Sequence, residues 1–172
     1  AWSIDARRRG GPRAVPAWPR RLLVFQLVLL YFTTALQKVS ASWIPFVGPM
    51  DALWYILQQP TWQKHDMRWL APFFPLTQLA TLTTWFFEML APLLLLAMWY
   101  RRTADRPGRV RGWFNRIPFR TAYLGLGLAL HLGIWASLEV GPFLGGILVL
   151  YAACLLPDEW RALAARVRER DA

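Results

Sequence analysis

A lysine, a glutamate and a histidine stand where this chain is otherwise most apolar. Lys38, Glu88 and His131 lie in or at the edge of the stretches 22–36, 77–100, 121–138 and 142–156. An ionisable side chain at membrane depth costs about 2.5–3.5 kcal/mol on insertion scales, so such residues face a protein interior and tend to carry function. The chemistry open to these three is proton transfer. A lysine desolvated beside a pocket can lose its proton and act as a base, while a buried carboxyl and an imidazole can hold or relay one. Each also has a structural reading. Lys38 can snorkel to headgroups, Glu88 can be a protonated packing group, and His131 can bridge two helices. The sequence contains no GxSxG, no HExxH, no Gly-rich phosphate loop and no clustered metal ligands, so no metal is expected.

The elements that must position these groups follow from hydropathy. A span needs about 20 mostly apolar residues, which 77–100 supplies alone and the other stretches supply with their flanks. The expected fold is an all-α integral membrane protein: about four transmembrane helices, one interfacial or re-entrant helix, and an amphipathic C-terminal helix. Of 172 residues 56% are hydrophobic, and the 11 tryptophans suit a membrane bundle better than a soluble core. The net charge of +10 would suit nucleic acid, but its distribution argues against that partner. Arg7, Arg8, Arg9, Arg13, Arg20 and Arg21 precede the first stretch, seven arginines fill 101–120, and Arg161, Arg166, Arg168 and Arg170 follow the last. The intervening connections carry only Lys38, Lys64 and Arg68, then no basic residue. By the positive-inside rule both termini are expected in the cytoplasm, with the chain resident in the cell membrane and the lipid bilayer as its first partner.

Three regions result: a basic lead-in over 1–21, a bundle over 22–156, and a tail over 157–172. Within the bundle, 39–76 is extracytoplasmic and aromatic, and 50–59 reads as a short helix stopped by Pro60. Cys154, the single cysteine, excludes an internal disulfide and is expected to pack inertly. Gly125, Ala129 and Gly133 form a small-residue ridge expected to serve helix packing. His65 beside Asp66 is expected to be solvated. The chain begins at Ala1 rather than Met and is expected to be the C-terminal part of a longer protein.

Spacing brings the polar groups together. Tyr31, Thr34 and Lys38 are spaced i, i+3, i+7 and share a face, as do Thr77, Thr81, Thr84 and Glu88 at i, i+4, i+7, i+11. His131 lies seven residues, roughly 10 Å, from the outer end of its helix. All three helices therefore direct polar groups to the outer half of the bundle. The expected result is one extracytoplasmic pocket, with Lys38 near the mouth and Glu88 at the floor.

The run Tyr31-Phe-Thr-Thr-Ala-Leu-Gln-Lys38-Val-Ser-Ala-Ser-Trp43, followed by Gly48 and Met50, resembles the vitamin K-dependent gamma-carboxylase and the bacterial horizontally transferred transmembrane (HTTM) family related to it. His131 with Gly141 and Phe143 downstream is a second match, and Glu88 in WFFEMLAP falls on an acidic position. The resemblance covers roughly 1–156. It implies Lys38 as the base that deprotonates a reduced, vitamin K-like quinone, with His131 and Glu88 as further catalytic residues. Tyr31, Thr34, Trp43 and Thr84 would then bind substrate. Gln37 and Ser40 stand where the carboxylase pattern has a lysine and an aspartate, and no counterpart of the carboxylase's large lumenal domain is expected within these 172 residues. What is implied is carboxylase-like chemistry on a quinone-like or lipid-soluble molecule rather than protein carboxylation itself. Two other classes stay open: a transporter or proton relay using Glu88 and His131, and a non-catalytic subunit with a membrane or extracytoplasmic protein partner.

Overall fold

The computed structural model describes residues 8 and 16–170, so the basic lead-in lies largely outside the described residues. The described chain is all helical, its only β-type pairing being an isolated bridge between Gln63 and Leu138. Its helices are α1 (Trp18–Gln37), α2 (Ala52–Leu57), α3 (Phe74–Met89), α4 (Pro92–Arg102), α5 (Arg109–Arg116), α6 (Phe119–Ser137), α7 (Phe143–Cys154) and α8 (Pro157–Arg170), with a 3-10 turn over Arg68–Phe73.

Proline sets most of the boundaries. The stretch 77–100 does not form one straight helix: it bends by 52° between α3 and α4. Pro92 has no N–H to give the Glu88 carbonyl four residues back, and its ring would clash with that oxygen. The Ala91 N–H takes the carbonyl instead at 3.2 Å. Glu88 therefore sits on the last turn before a bend rather than in mid-helix. Pro118 and Pro157 likewise force Ile117 and Leu156 out of helical conformation and separate α5 from α6 and α7 from α8, at 47° and 104°. One helix, Trp18–Gln37, is long and apolar enough to cross a membrane, or up to four if each bent pair counts as one span.

The first helix is the hub. Val24, Leu27, Val28, Tyr31 and Ala35, at helical spacing, bury one face of α1 against α3, α4 and α7. Phe87, Ala91, Leu94, Met98, Tyr123, Ile147, Tyr151 and Cys154 join Val24, Leu27, Val28 and Tyr31 in one core. Cys154 is fully buried, in keeping with a packing role. The small-residue ridge behaves differently from expectation. A Cβ at Gly125 or Gly133 would meet nothing within 4 Å, so neither glycine serves packing between the described helices. Gly127, on another face of α6, is the one that does.

Residues 39–73 fold back as a cap. Within it α2 is shorter than the expected 50–59 and lies on the upper turns of α3, where the Leu53 N–H donates to Thr81 Oγ1 at 3.1 Å. The segment around Gln63 is stitched to the end of α6 by Lys64 N–H to Ser137 O at 3.0 Å and Glu139 N–H to Trp62 O at 2.6 Å. Leu57, Met67 and Leu138 form a small core beneath it. At the opposite end Arg120 donates to Cys154 O at 3.1 Å and pairs with Glu159, whose carboxyl it holds below the ordinary range. That contact fixes α8, with Asp158 and Glu159 in its first turn. On the face expected to be apolar, Trp160 and Ala164 are exposed, while the side chains of Leu163 and Val167 lie outside the described residues.

Candidate functional site

Between the cap and the bundle lies a cavity of about 640 Å³. Its walls are mostly apolar, with Leu53, Ile56 and Met67 above and Leu130 and Ile134 on α6, and its charged groups are Lys38 and Glu88. Lys38 caps the C-terminus of α1, its N–H donating to Ala35 O at 3.1 Å. Its ammonium donates to Glu88 Oε2 and lies 4.9 Å from the centre of the Trp43 ring. The two charged side chains are 17% and 13% exposed, so solvent screens this pair weakly.

This contact corrects the expected depth profile. Glu88 is about 21 Å along α3 from Phe74, yet it meets the end of α1. The upper turns of α3 rise beyond α1 and are covered by α2, so Lys38 lies beneath a roof rather than at a surface mouth. Counting residues from the edge of each stretch treats all helices as starting in one plane. They do not.

The expected single pocket is divided. Lys38, Trp43, Thr84 and Glu88 line the cavity, together with Ala129 and Gly133 of the small-residue ridge. Tyr31 and His131 lie outside it, in a buried network: Tyr31 Oη and His131 Nε2 share a hydrogen bond of 2.6 Å, and Tyr31 Oη and Tyr151 Oη another of 2.9 Å. His131 Nδ1 is buried with no partner among the described residues. Thr34 and Thr84 satisfy their hydroxyls within their own helices, donating to Tyr31 O and Ala80 O at 2.8 Å each. His65 and Asp66 are exposed, and Arg68 pairs with Asp66 and lowers its carboxyl to about 2.

Tyr151 and the cap residues were not singled out from sequence. For Tyr151 a signal existed, since it carries the only hydroxyl in an otherwise apolar stretch, and a buried phenol needs a partner. Nothing local announced Met67 or Leu53, which reach the cavity only through the fold-back of 39–73.

Chemically, the pair presents one shared proton system at the edge of an apolar chamber. An ammonium has three donors. Glu88 takes one, the Trp43 face attracts another, and a third is free to meet an acidic or hydrogen-bonding head inside the cavity. Comparison with protein-family models, with curated proteins and with solved structures finds no match for this chain.

Proposed function

We propose that this chain is an integral membrane protein of the HTTM and carboxylase-like type, whose extracytoplasmic cavity takes a lipid-soluble, quinone-like molecule and presents Lys38 to its polar head. The observation that carries the reading is the charged Lys38–Glu88 pair in an otherwise apolar cavity of about 640 Å³. That volume lies within the range of about 300–1,000 Å³ found for small-molecule sites, and apolar walls with few convergent polar groups are their usual make-up. A second, mostly apolar groove of about 400 Å³, walled by Leu82, Phe86, Leu90 and Leu126 with Thr83 and Tyr123 among its lining, lies along the same two helices, α3 and α6. It suits a hydrophobic tail. Large apolar side chains also cover the outside of the bundle, among them Leu22, Phe25, Leu29, Leu79, Leu132 and Val149. A soluble monomer rarely tolerates so much exposed apolar surface, whereas a bilayer favours it.

A reduced quinone would supply an acidic hydroxyl at the cavity. Lys38 Nζ would accept that proton when Glu88 already holds its own, and Trp43 and the cap would keep water away. The Glu88–His131 relay has less support: the two are in separate networks, and no hydrogen bond joins them among the described residues.

The test uses the reconstituted full chain and a naphthoquinone as quencher of tryptophan fluorescence, since Trp43 and Trp69 line the cavity. Saturable quenching is expected, and Gly133→Phe should abolish it with unfolding unchanged, because the ring can enter space that is open around Gly133. Lys38→Arg keeps the charge but cannot deprotonate. With the naphthoquinone first reduced to its hydroquinone by added dithionite, the variant should retain binding and lose the ultraviolet signature of hydroquinone ionisation that the unaltered chain produces. Absence of saturable quenching, or quenching indifferent to Gly133→Phe, would sink the cavity assignment.

Orientation is tested separately. Lys64 is tied to the end of α6, and Arg109 begins the helix that leads into its start, so the 19-residue α6, roughly 28 Å long, stands between the two ends they mark. A cysteine at Lys64 should react only from outside and one at Arg109 only from the cytoplasm, with buried Cys154 silent. Reaction of both from one side would refute the four-span arrangement. Ser3 and Ala172, the terminal positions for the same experiment, lie outside the described residues.

A further inference from the structure

The start of α1 and the end of α4 run side by side, at the end of the bundle opposite the cap. They enclose a cleft of about 210 Å³ in which Arg20, Arg21 and Arg102 surround an apolar floor of Val24, Leu95 and Trp99. Like charges brought this close repel, and a fold normally places a carboxylate among them. Here none is found. The ion pairs among the described residues are Lys38–Glu88, Arg68–Asp66, Arg120–Glu159 and Arg161–Asp158, and none involves these three arginines. Arg20 is oriented by the chain itself, donating from one nitrogen, Nη1, to Leu155 O at 3.2 Å and Ala153 O at 3.5 Å, which leaves Nη2 and Nε unspent. Partial burial and the Arg20 and Arg21 charges together press the Arg102 guanidinium below its usual pKa, which an anion would relieve.

We propose that this cleft binds the phosphate of an anionic phospholipid, held by Arg20, Arg21 and Arg102, with an acyl chain on Val24, Leu95 and Trp99. Guanidinium forks match phosphate oxygens bidentately, which favours arginine over a point charge. The apolar floor selects an anion that carries a hydrocarbon extension, since free phosphate gains nothing from it. Trp99 is half exposed beside the arginines, as tryptophans are at headgroup level. Basic pockets between helices at the cytoplasmic side are suited to lipid headgroups of this kind. The inference rests on the membrane reading above and deepens it.

The test uses the purified full chain in neutral detergent, with thermal unfolding and native mass spectrometry as readouts. The probes are short-chain phosphatidylglycerol, short-chain phosphatidylcholine and inorganic phosphate. Phosphatidylglycerol should be retained and raise the unfolding temperature, and the other two should do neither. An arginine near a charged lipid surface is worth about fivefold in affinity, so Arg21→Gln with Arg102→Gln should weaken phosphatidylglycerol binding about tenfold or more. The control pair Arg109→Gln with Arg116→Gln removes the same charge from the exposed face of α5 and should change binding less than about twofold. Equal loss in the control pair would mean diffuse charge rather than a site. Inorganic phosphate acting as well as the lipid would overturn the lipid assignment, as would binding unaffected by the cleft variants. Alkaline extraction of membranes separates the two readings: a chain that resists extraction but fails lipid discrimination overturns the cleft alone, and a chain released by it overturns the membrane reading.

Discussion

Replacing Lys38 with methionine is expected to destabilise the folded chain by about 3–5 kcal/mol, measured by reversible unfolding in detergent or bilayer discs. The variant leaves Glu88 in an apolar cavity with its partner gone, and water reaches only a small part of it. The uncompensated group costs far more than the intact pair gains. Glu88→Met should cost a similar amount by stranding the ammonium between Trp43 and the cavity walls. The decisive result is the double variant. Lys38→Met combined with Glu88→Met removes both charges and leaves apolar side chains of similar length. It should recover most of the loss, because a buried pair often contributes little over a well-packed apolar replacement. With each single variant losing about 3–5 kcal/mol and the double variant little, a coupling of about 5 kcal/mol or more between the two positions is expected. Strictly additive losses would show that the side chains do not meet, and the cavity would lose its charged centre.

Gly127→Ala should also destabilise strongly, and Gly127→Val more so. A Cβ at this position would lie 1.9 Å from Tyr151 Oη and 2.6 Å from Phe87 Cζ. Neither neighbour can yield easily. Tyr151 is hydrogen-bonded to Tyr31, which is bonded in turn to His131. The Phe87 ring is stacked on Tyr123 with centroids 4.4 Å apart and meets Tyr31 edge-on at 5.0 Å. Overpacking of this sort costs about 1–3 kcal/mol for one methyl group, and a branched side chain adds to it. Gly125, two residues earlier on the same helix, supplies the comparison. A Cβ there meets nothing within 4 Å, so Gly125→Ala should be neutral or stabilising, since alanine is the better helix former by up to about 1 kcal/mol. The two glycines should therefore respond with opposite signs. A harmless Gly127→Ala would mean that the Tyr31–His131–Tyr151 network is looser than its distances indicate.

Two glycines two residues apart also mark where sequence reasoning reaches its limit. Periodicity identifies which residues share a helix face, and it does so well here. The α1 stripe and the Thr77–Thr81–Thr84–Glu88 stripe follow from spacing, because 3.6 residues per turn is a local property of the backbone. Periodicity does not identify the neighbour each face meets. Gly125, Ala129 and Gly133 read as a packing ridge, yet Ala129 and Gly133 line the cavity, and Gly127 on another face receives Tyr151. His131 points to a polar partner by its type alone, but the choice of Tyr31 and Tyr151 over Glu88 depends on the relative rotation of three helices. No residue encodes that rotation by itself.

The amino-acid sequence by itself determined the helical class, the burial of Cys154 and the presence of a lysine and a glutamate in an otherwise apolar setting, but not their pairing, which joins residues 50 positions apart. Composition, proline positions and helical spacing act within a few residues, and each contributes independently of the rest of the chain. Tertiary structure alone decided the depth of that pair and the chamber around it. The bend at Pro92 placed Glu88 on the last turn of α3, and the upper turns of α3 rose past the end of α1. The fold-back of 39–73 then roofed the site through Leu53, Ile56 and Met67. Those contacts join residues tens of positions apart, so they exist only once the helices have packed and the cap has closed on them.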